Sequence, residues 1–218
     1  ILKSIGCTVF HKKTCSVFRG NIGAEFDAML DELGEEFCAV ILGFPKNGRV
    51  TKDGIHYVRG IRLEESEFRN DPMHPMLESD LLQILGKQTR RKVGLIPHAV
   101  ISQGLGATRL AMEAAKKDFN YLIFDVLDQQ MLNTVAGAVK DVRALAGSSA
   151  IGEELPKWLP AKGKGTSTGT DALRSPKLGT LIIAGSVTPQ TRRQVEHAKA
   201  QGIEYFTILS ERLLDPSD

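Results

Sequence analysis

The chain has 218 residues, 42% hydrophobic and 25% charged, the composition of an ordinary folded protein whose core needs no metal or disulfide to hold it. Lys and Arg number 28 against 26 Asp and Glu, so the formal net charge of +2 excludes a general nucleic-acid or membrane-surface binder, which needs a concentrated basic excess. No apolar run approaches the roughly 20 residues that span a bilayer, and no secretory-type leader opens the sequence, so the expected location is cytoplasmic.

Ile1, Leu2, Ile5, Val9 and Phe10 read as a strand that the sequence enters midway, without a Met. Three cysteines, Cys7, Cys15 and Cys38, are widely spaced. Cys7, His11 and Cys15 recur every four residues, but zinc sites use tighter pairs and a fourth ligand, so reduced thiols and no metal site are expected. A loop from Lys12 leads to Asn21, a candidate cap for a helix carrying Ile22, Phe26, Met29, Leu30 and Leu33, with Gly34 as its stop. Phe37 to Leu42 has the unbroken apolar pattern of a strand buried on both faces, ended by Gly43-Phe44-Pro45. Val50-Thr51 and Ile55 to Val58 flank Asp53-Gly54 and predict a hairpin. A polar stretch from Glu64 to Pro75 precedes a helix with Leu81, Leu82 and Leu85.

Strand and helix then alternate. Val93 to Ile96 is a strand, Ala107 to Lys117 a helix, Tyr121 to Val126 a strand, and Asp128 opens a helix with Met131, Leu132, Val135, Val139 and Val142. Such repeats predict an α/β fold, a parallel or mixed sheet covered by helices. Ala161 to Thr170 is too rich in Gly, Ser and Thr to pack and reads as a linker. Beyond it, strand (Leu178 to Ala184), helix (Pro189 to Ala200) and strand (Tyr205 to Leu209) are too short for a complete domain.

Ligands of parallel sheets gather where strands end and helices begin. Lys12 to Asn21 offers cations, a hydroxyl and a glycine at such a place, suited to a carboxylate or phosphate, or simply a capped helix behind solvated basic residues. Gly185-Ser186-Val187-Thr188-Pro189 is a cap after a strand, or a phosphate turn of the same chemistry. Ala146 to Gly152, containing Gly147-Ser148-Ser149, is a small-residue turn that admits close approach. Gly104-Leu105-Gly106 lacks the third glycine of a dinucleotide fingerprint. Two prolines stiffen a loop carrying Asp71 and His74, which aims them into a cleft or is only a turn. Asp125 ends a strand where an α/β fold exposes a functional acid, although it could also cap the next helix.

Together these segments resemble the four-carbon acid sugar kinase family. Lys12-Lys13, Ser16 and Arg19-Gly20-Asn21-Ile22-Gly23-Ala24-Glu25 are similar to its Lys-Lys-Ile-Asp-Ser-Thr-Leu-Arg-Gly-Asn-Ile-Gly-Ala-Glu segment. Phe44-Pro45-Lys46-Asn47-Gly48-Arg49 resembles its Phe-Pro-x-x-Gly-Arg loop, and Asp71 to Pro75 its Asp-Pro-x-x-Pro segment. Phe124-Asp125-Val126 sits at its Asp-Ala pair, and Gly147-Ser148-Ser149 and Gly185 to Pro189 with Thr191 at its two Gly-Ser turns.

The resemblance implies an ATP-dependent, Mg2+-assisted kinase that phosphorylates a threonate- or erythronate-type sugar acid. It implies a sugar-acid domain at 1–158, a linker at 159–175 and part of a second α/β, nucleotide-binding domain at 176–218. The sugar acid would be held by Lys13, Ser16, Arg19, Asn21 and Arg49, with Asp71, His74 and Asp125, and ATP by Gly147, Ser148, Ser149, Gly185, Ser186, Thr188 and Thr191. Sugar acid and ATP are then the partners, without nucleic acid or membrane, and a homodimer is compatible. Cys15 stands where the family has Asp, and Val17 where it usually has Thr, so two polar groups leave the implied pocket. The family's opening Asp-Asp-x-Thr-Gly-Ala segment would lie upstream of Ile1 and its Gly-Gly-Asp-Thr segment beyond Asp218. A second reading is therefore a truncated or degenerate homologue that binds sugar acid or nucleotide without catalysis.

Overall fold

Four-residue apolar runs build the central sheet of this α/β fold, in a computed structural model that describes residues 2–159, 181–186 and 188–208. Strands β1 (Phe10–Lys13), β2 (Cys38–Ile41), β6 (Val93–Ile96), β7 (Tyr121–Phe124) and β8 (Ala144–Gly147) pair in parallel in the order β1-β8-β2-β7-β6. Three further strands, β3 (Arg49–Lys52), β4 (Ile55–Val58) and β5 (Ile61–Arg62), form a small antiparallel sheet. The chain divides into two compact units, Ile1–Gly163 and Lys164–Asp218.

Period-two alternation sends each central strand to two cores. Cys38 and Val40 of β2 and Tyr121 and Ile123 of β7 join one, with Ile22, Phe26 and Leu30 of α1 (Ile22–Leu33) and Leu81 and Leu85 of α2 (Leu81–Gly86). Ala39, Ile41, Leu122 and Phe124 face the other, with Ile101 of α3 (His98–Ile101), Met112 of α4 (Leu105–Ala115), Leu132 and Val135 of α5 (Gln129–Val139) and Ile151 of α6 (Ile151–Glu154). Each wholly buried Val, Leu, Ile, Phe or Met among them stabilises the fold by about 1.5–3 kcal/mol relative to exposure.

Several expectations are corrected. Residues 2–6 are turns, and the first strand starts at Phe10, where the backbone N–H finds Arg143 O at 2.8 Å. β1 extends through Lys13, so the expected loop begins at Thr14. Asn21 sits at the N-cap of α1 but makes no side-chain capping bond, whereas Asp80 and Asp128 cap α2 and α5 through their carboxylates. Ala146 and Gly147, expected to open a turn, instead complete β8, a strand between β1 and β2.

In the second unit, Thr188 accepts the N–H of Thr191 and caps α7 (Pro189–Ala200), with Pro189 at the first helical position. The described parts of the two flanking expected strands, 181–184 and 205–208, are not strands. No ladder partner pairs with either among the described residues, and Leu181, Ile182, Ile183, Phe206 and Ile208 lie exposed. The expected linker at 161–170, the start of the strand at 178–180, Val187 and Leu209 lie outside the described residues.

Candidate anion site at the carboxyl edge of the sheet

All five parallel strands end at one edge, and the loop after β1 turns there through Thr14 to Asn21. Val17 and Phe18 anchor it, both buried in the core, with the Phe18 ring edge-on to Phe26 at 6.1 Å. Phe18 adopts a left-handed backbone at φ 59, a conformation that costs a non-glycine residue about 1–2 kcal/mol and is held here by burial of its ring. Val17 therefore belongs to the core, and the expectation that its side chain alters the pocket is corrected.

His56 fixes the same loop from β4, and the sequence offered no signal for it beyond a hairpin position. Its buried ring donates Nε2–H to the Ser16 carbonyl at 3.0 Å, which leaves Nδ1 to accept the Thr51 hydroxyl at 3.1 Å. Burial, with the Arg49 charge adding to it against the Ser16 bond, pushes the His56 pKa down to about 4. The ring is neutral at pH 7, and both nitrogens are committed.

Anchored in this way, the loop presents Arg19. Its Nε donates to Cys15 Sγ at 3.3 Å and its Nη1 pairs with Asp71, while its guanidinium carbon lies 5.4 Å from the Phe68 ring centre. Arg49, arriving from β3, lies 5.7 Å from the same ring. Asp71 is itself fixed by accepting the N–H groups of His74, at 2.8 Å, and Met73, at 3.1 Å. Those bonds, the His74 N–H first, and Arg19 hold its carboxyl below the usual carboxylate range.

Arg49 is the unusual member. It is 8% exposed and forms no ion pair among the described residues. Nη1 donates to Asn47 O, but Nε is buried with no partner. Burial first, and then the charge of Arg59, lower its pKa. A buried, unpaired guanidinium is costly and is relieved by an anion.

The remaining expected residues divide by location. Lys13 is exposed at the end of β1, beside Gly147 of β8, while Lys12 is paired with Glu25 at 2.7 Å. Ser16 is half-buried and Asn21 exposed. The His74 side chain is exposed, and only its backbone enters the Asp71 turn. Asp125 does not join Arg19 and Arg49. It is fully buried beyond β7, accepting the N–H groups of Asp53, Gly54 and His98 at 2.7, 3.0 and 2.9 Å.

Gly147 is committed to the sheet, because a Cβ there would lie 1.9 Å from Ile41 O. Ser148 is buried, its N–H on Ile41 O and its hydroxyl accepting the Ala150 N–H, whereas Ser149 is exposed. In the second unit Ser186 and Thr188, and Thr188 and Thr191, have hydroxyl oxygens 3.2 Å apart at the start of α7, and nothing crowds Gly185. Hydroxyls at the first turn of a twelve-residue helix suit a phosphate. The cysteines are free thiols, Cys7 exposed, Cys15 partly buried and Cys38 buried. At the opposite edge a cleft is lined by Asp27, Asp31, Lys87, Arg90 and Arg91, in which both carboxylates pair with Arg91. No helix of the described residues is long and apolar enough to cross a membrane.

The family model described as sugar-binding N-terminal domain matches residues 1–155. A 3-oxo-tetronate kinase of Haemophilus influenzae is 34% identical over 200 residues, which cover 89% of this chain and 48% of that protein. A D-erythronate kinase of Heliobacterium modesticaldum is 32% identical over 215 residues, covering 95% and 47%. The chain thus spans about half the length of the curated relatives it matches. A crystal structure of a Haemophilus influenzae protein superimposes with a TM-score of 0.72 at 33% identity, covering 91% of this chain and 48% of that one. A domain of unknown function from Bordetella bronchiseptica, solved with bound citrate as a domain-swapped dimer, gives 0.59 at 26% identity, covering 72% and 38%.

Proposed function

Because this chain belongs to the four-carbon acid sugar kinase family, we propose that its first unit binds the sugar acid of an ATP-dependent phosphoryl transfer, with Arg49 and Arg19 as the carboxylate clamp. The observation that carries the proposal is the buried Arg49 guanidinium with an unused N–H and no carboxylate partner. Arg19, oriented by Asp71 and Cys15, supplies the second guanidinium, over the same Phe68 ring as Arg49. A planar carboxylate fits such forks and gains charge-assisted hydrogen bonds. Exposed Lys13 and the Ser16 hydroxyl are free to meet the polyol end or its incoming phosphate.

ATP is assigned to the hydroxyls of Ser186, Thr188 and Thr191 at the start of α7 in the second unit, beside Gly185. Mg2+ bound with ATP would supply charge neutralisation at the phosphates. The relatives named 3-oxo-tetronate kinase and D-erythronate kinase support a four-carbon sugar acid as the substrate class. They also support a sugar-acid kinase over a binding protein without turnover.

A thermal-shift titration with threonate, erythronate and 3-oxo-tetronate tests this reading, because a ligand that binds only the folded state raises Tm by mass action. At least one acid raises Tm in the wild type. Arg49→Leu removes an uncompensated buried charge, so it leaves the ligand-free Tm unchanged or higher while weakening the acid by about 10-fold or more. An unaltered ligand shift in Arg49→Leu, or no shift in the wild type with any acid, overturns it.

A further inference from the structure

Away from the arginine pair, three ligand-bearing side chains converge where β6 and β7 end. Asp125 follows β7, His98 opens α3 immediately after Pro97, and Asp53 stands at the tip of the β3–β4 hairpin. One donor atom from each lies within 4.8 Å of the others. His98 Nδ1 is 3.1 Å from Asp53 Oδ1 and 3.5 Å from Asp125 Oδ2, yet this buried nitrogen makes a hydrogen bond to neither. An imidazole nitrogen so close to two carboxylates without being aligned on either has the geometry of donors facing a shared third point. Donors about 3.0–3.5 Å apart also correspond to neighbouring ligands around an ion with bonds of about 2.0–2.2 Å.

The backbone holds this arrangement in place. Asp53 and Gly54 both have positive φ, 52 and 78, the conformation of a tight two-residue hairpin turn. Their N–H groups and that of His98 all end on the Asp125 carboxylate. A carboxylate has about four acceptor directions; Oδ2 takes the Asp53 and His98 N–H groups and Oδ1 that of Gly54, so the one direction left for an ion is on Oδ1. No Lys or Arg pairs with Asp53 or Asp125 among the described residues, so two negative charges face one imidazole without a fixed cation. The Asp53 side chain is 62% exposed, which gives an ion an entry path and leaves its remaining positions to water.

We propose that Asp53, His98 and Asp125 form a site for a divalent transition-metal ion. One nitrogen and two carboxylate donors match Mn2+ or Zn2+ and disfavour Mg2+, which prefers all-oxygen octahedra. The site is independent of the arginine clamp and of any Mg2+ that accompanies ATP. It clamps the hairpin tip to the starts of α3 and of the segment after β7.

The test strips the chain of metal with EDTA and titrates it with MnCl2, following loss of the free Mn2+ electron paramagnetic resonance signal, with Tm measured in parallel. Zinc is a second titrant and MgCl2 the control. The expected result is one Mn2+ per chain and a higher Tm. Asp53→Asn and His98→Gln each weaken binding by about 10-fold or more while leaving the metal-free Tm and the Arg49-dependent sugar-acid shift in place. Asp53→Asn is the safer variant, because its carboxylate accepts no backbone bond and faces solvent. Absence of Mn2+ and Zn2+ binding in the wild type overturns the proposal. So does equal binding in both variants, which would move the ion to other donors such as the free cysteines.

Discussion

Arg49 and His56 illustrate how single buried groups set the chemistry of the edge. Arg49 bears a charge that its surroundings do not neutralise, and His56 is kept uncharged so that it can hold the Ser16 carbonyl. The His56 pKa of about 4, against 6.5 for an unrestrained imidazole, links this bond to stability. Between those values the unfolded chain binds the proton and the folded chain does not, so stability falls as pH drops through that window. The gap is worth about 3 kcal/mol once pH lies below both values. Denaturation midpoints compared between about pH 7 and about pH 5 should show a steeper loss in the wild type than in His56→Gln, which keeps a donor for Ser16 but does not titrate. Equal slopes would contradict the assignment.

At the scale of elements, what could be read from the sequence depended on how strongly each segment advertised its period. β2 and β7, continuous apolar runs, and the Asp53-Gly54 hairpin were legible because burial on both faces and a two-residue turn leave plain signatures. β8 was not, since Ala-Leu-Ala-Gly has little strand propensity and is a strand only because β1 and β2 close on it from both sides. Gly147 shows the constraint: at φ 132 and with Ile41 O where its Cβ would be, no side chain fits. Gly147→Ala is expected to destabilise the first unit by about 3–5 kcal/mol, read from urea denaturation. A change under about 1 kcal/mol would show that β8 and β2 can separate at little cost. The site was legible only in part. Lys13 and Arg19 stood out in a basic loop leading into a helix and Arg49 came only with the family resemblance, but His56 and Phe68 act through contacts distant in sequence that no local pattern records.

For the whole molecule, the near balance of charge hides a local asymmetry. A net charge of +2 says nothing of an anion site, yet Arg19 and Arg49 both lie against one ring while Asp53 and Asp125 face one imidazole elsewhere on the same edge. Fold class and family could be read because strand–helix alternation and the first motif extend over long stretches of chain. The apolar segments at 181–184 and 203–208 were harder, since a strand exists only with a partner and their side chains are exposed among the described residues. The central claim is that the carboxylate of a four-carbon acid is gripped by Arg49 together with Arg19. Isothermal titration of the chain with erythronate, threonate and the neutral polyol erythritol, repeated with Arg19→Gln, Arg49→Gln and the double variant, tests it most directly. The account predicts binding of an acid and not of the polyol, with each single variant weakening the acid by about 10-fold or more and the double variant losing less than the sum. Equal affinity for acid and polyol, or acid binding indifferent to both substitutions, would contradict it.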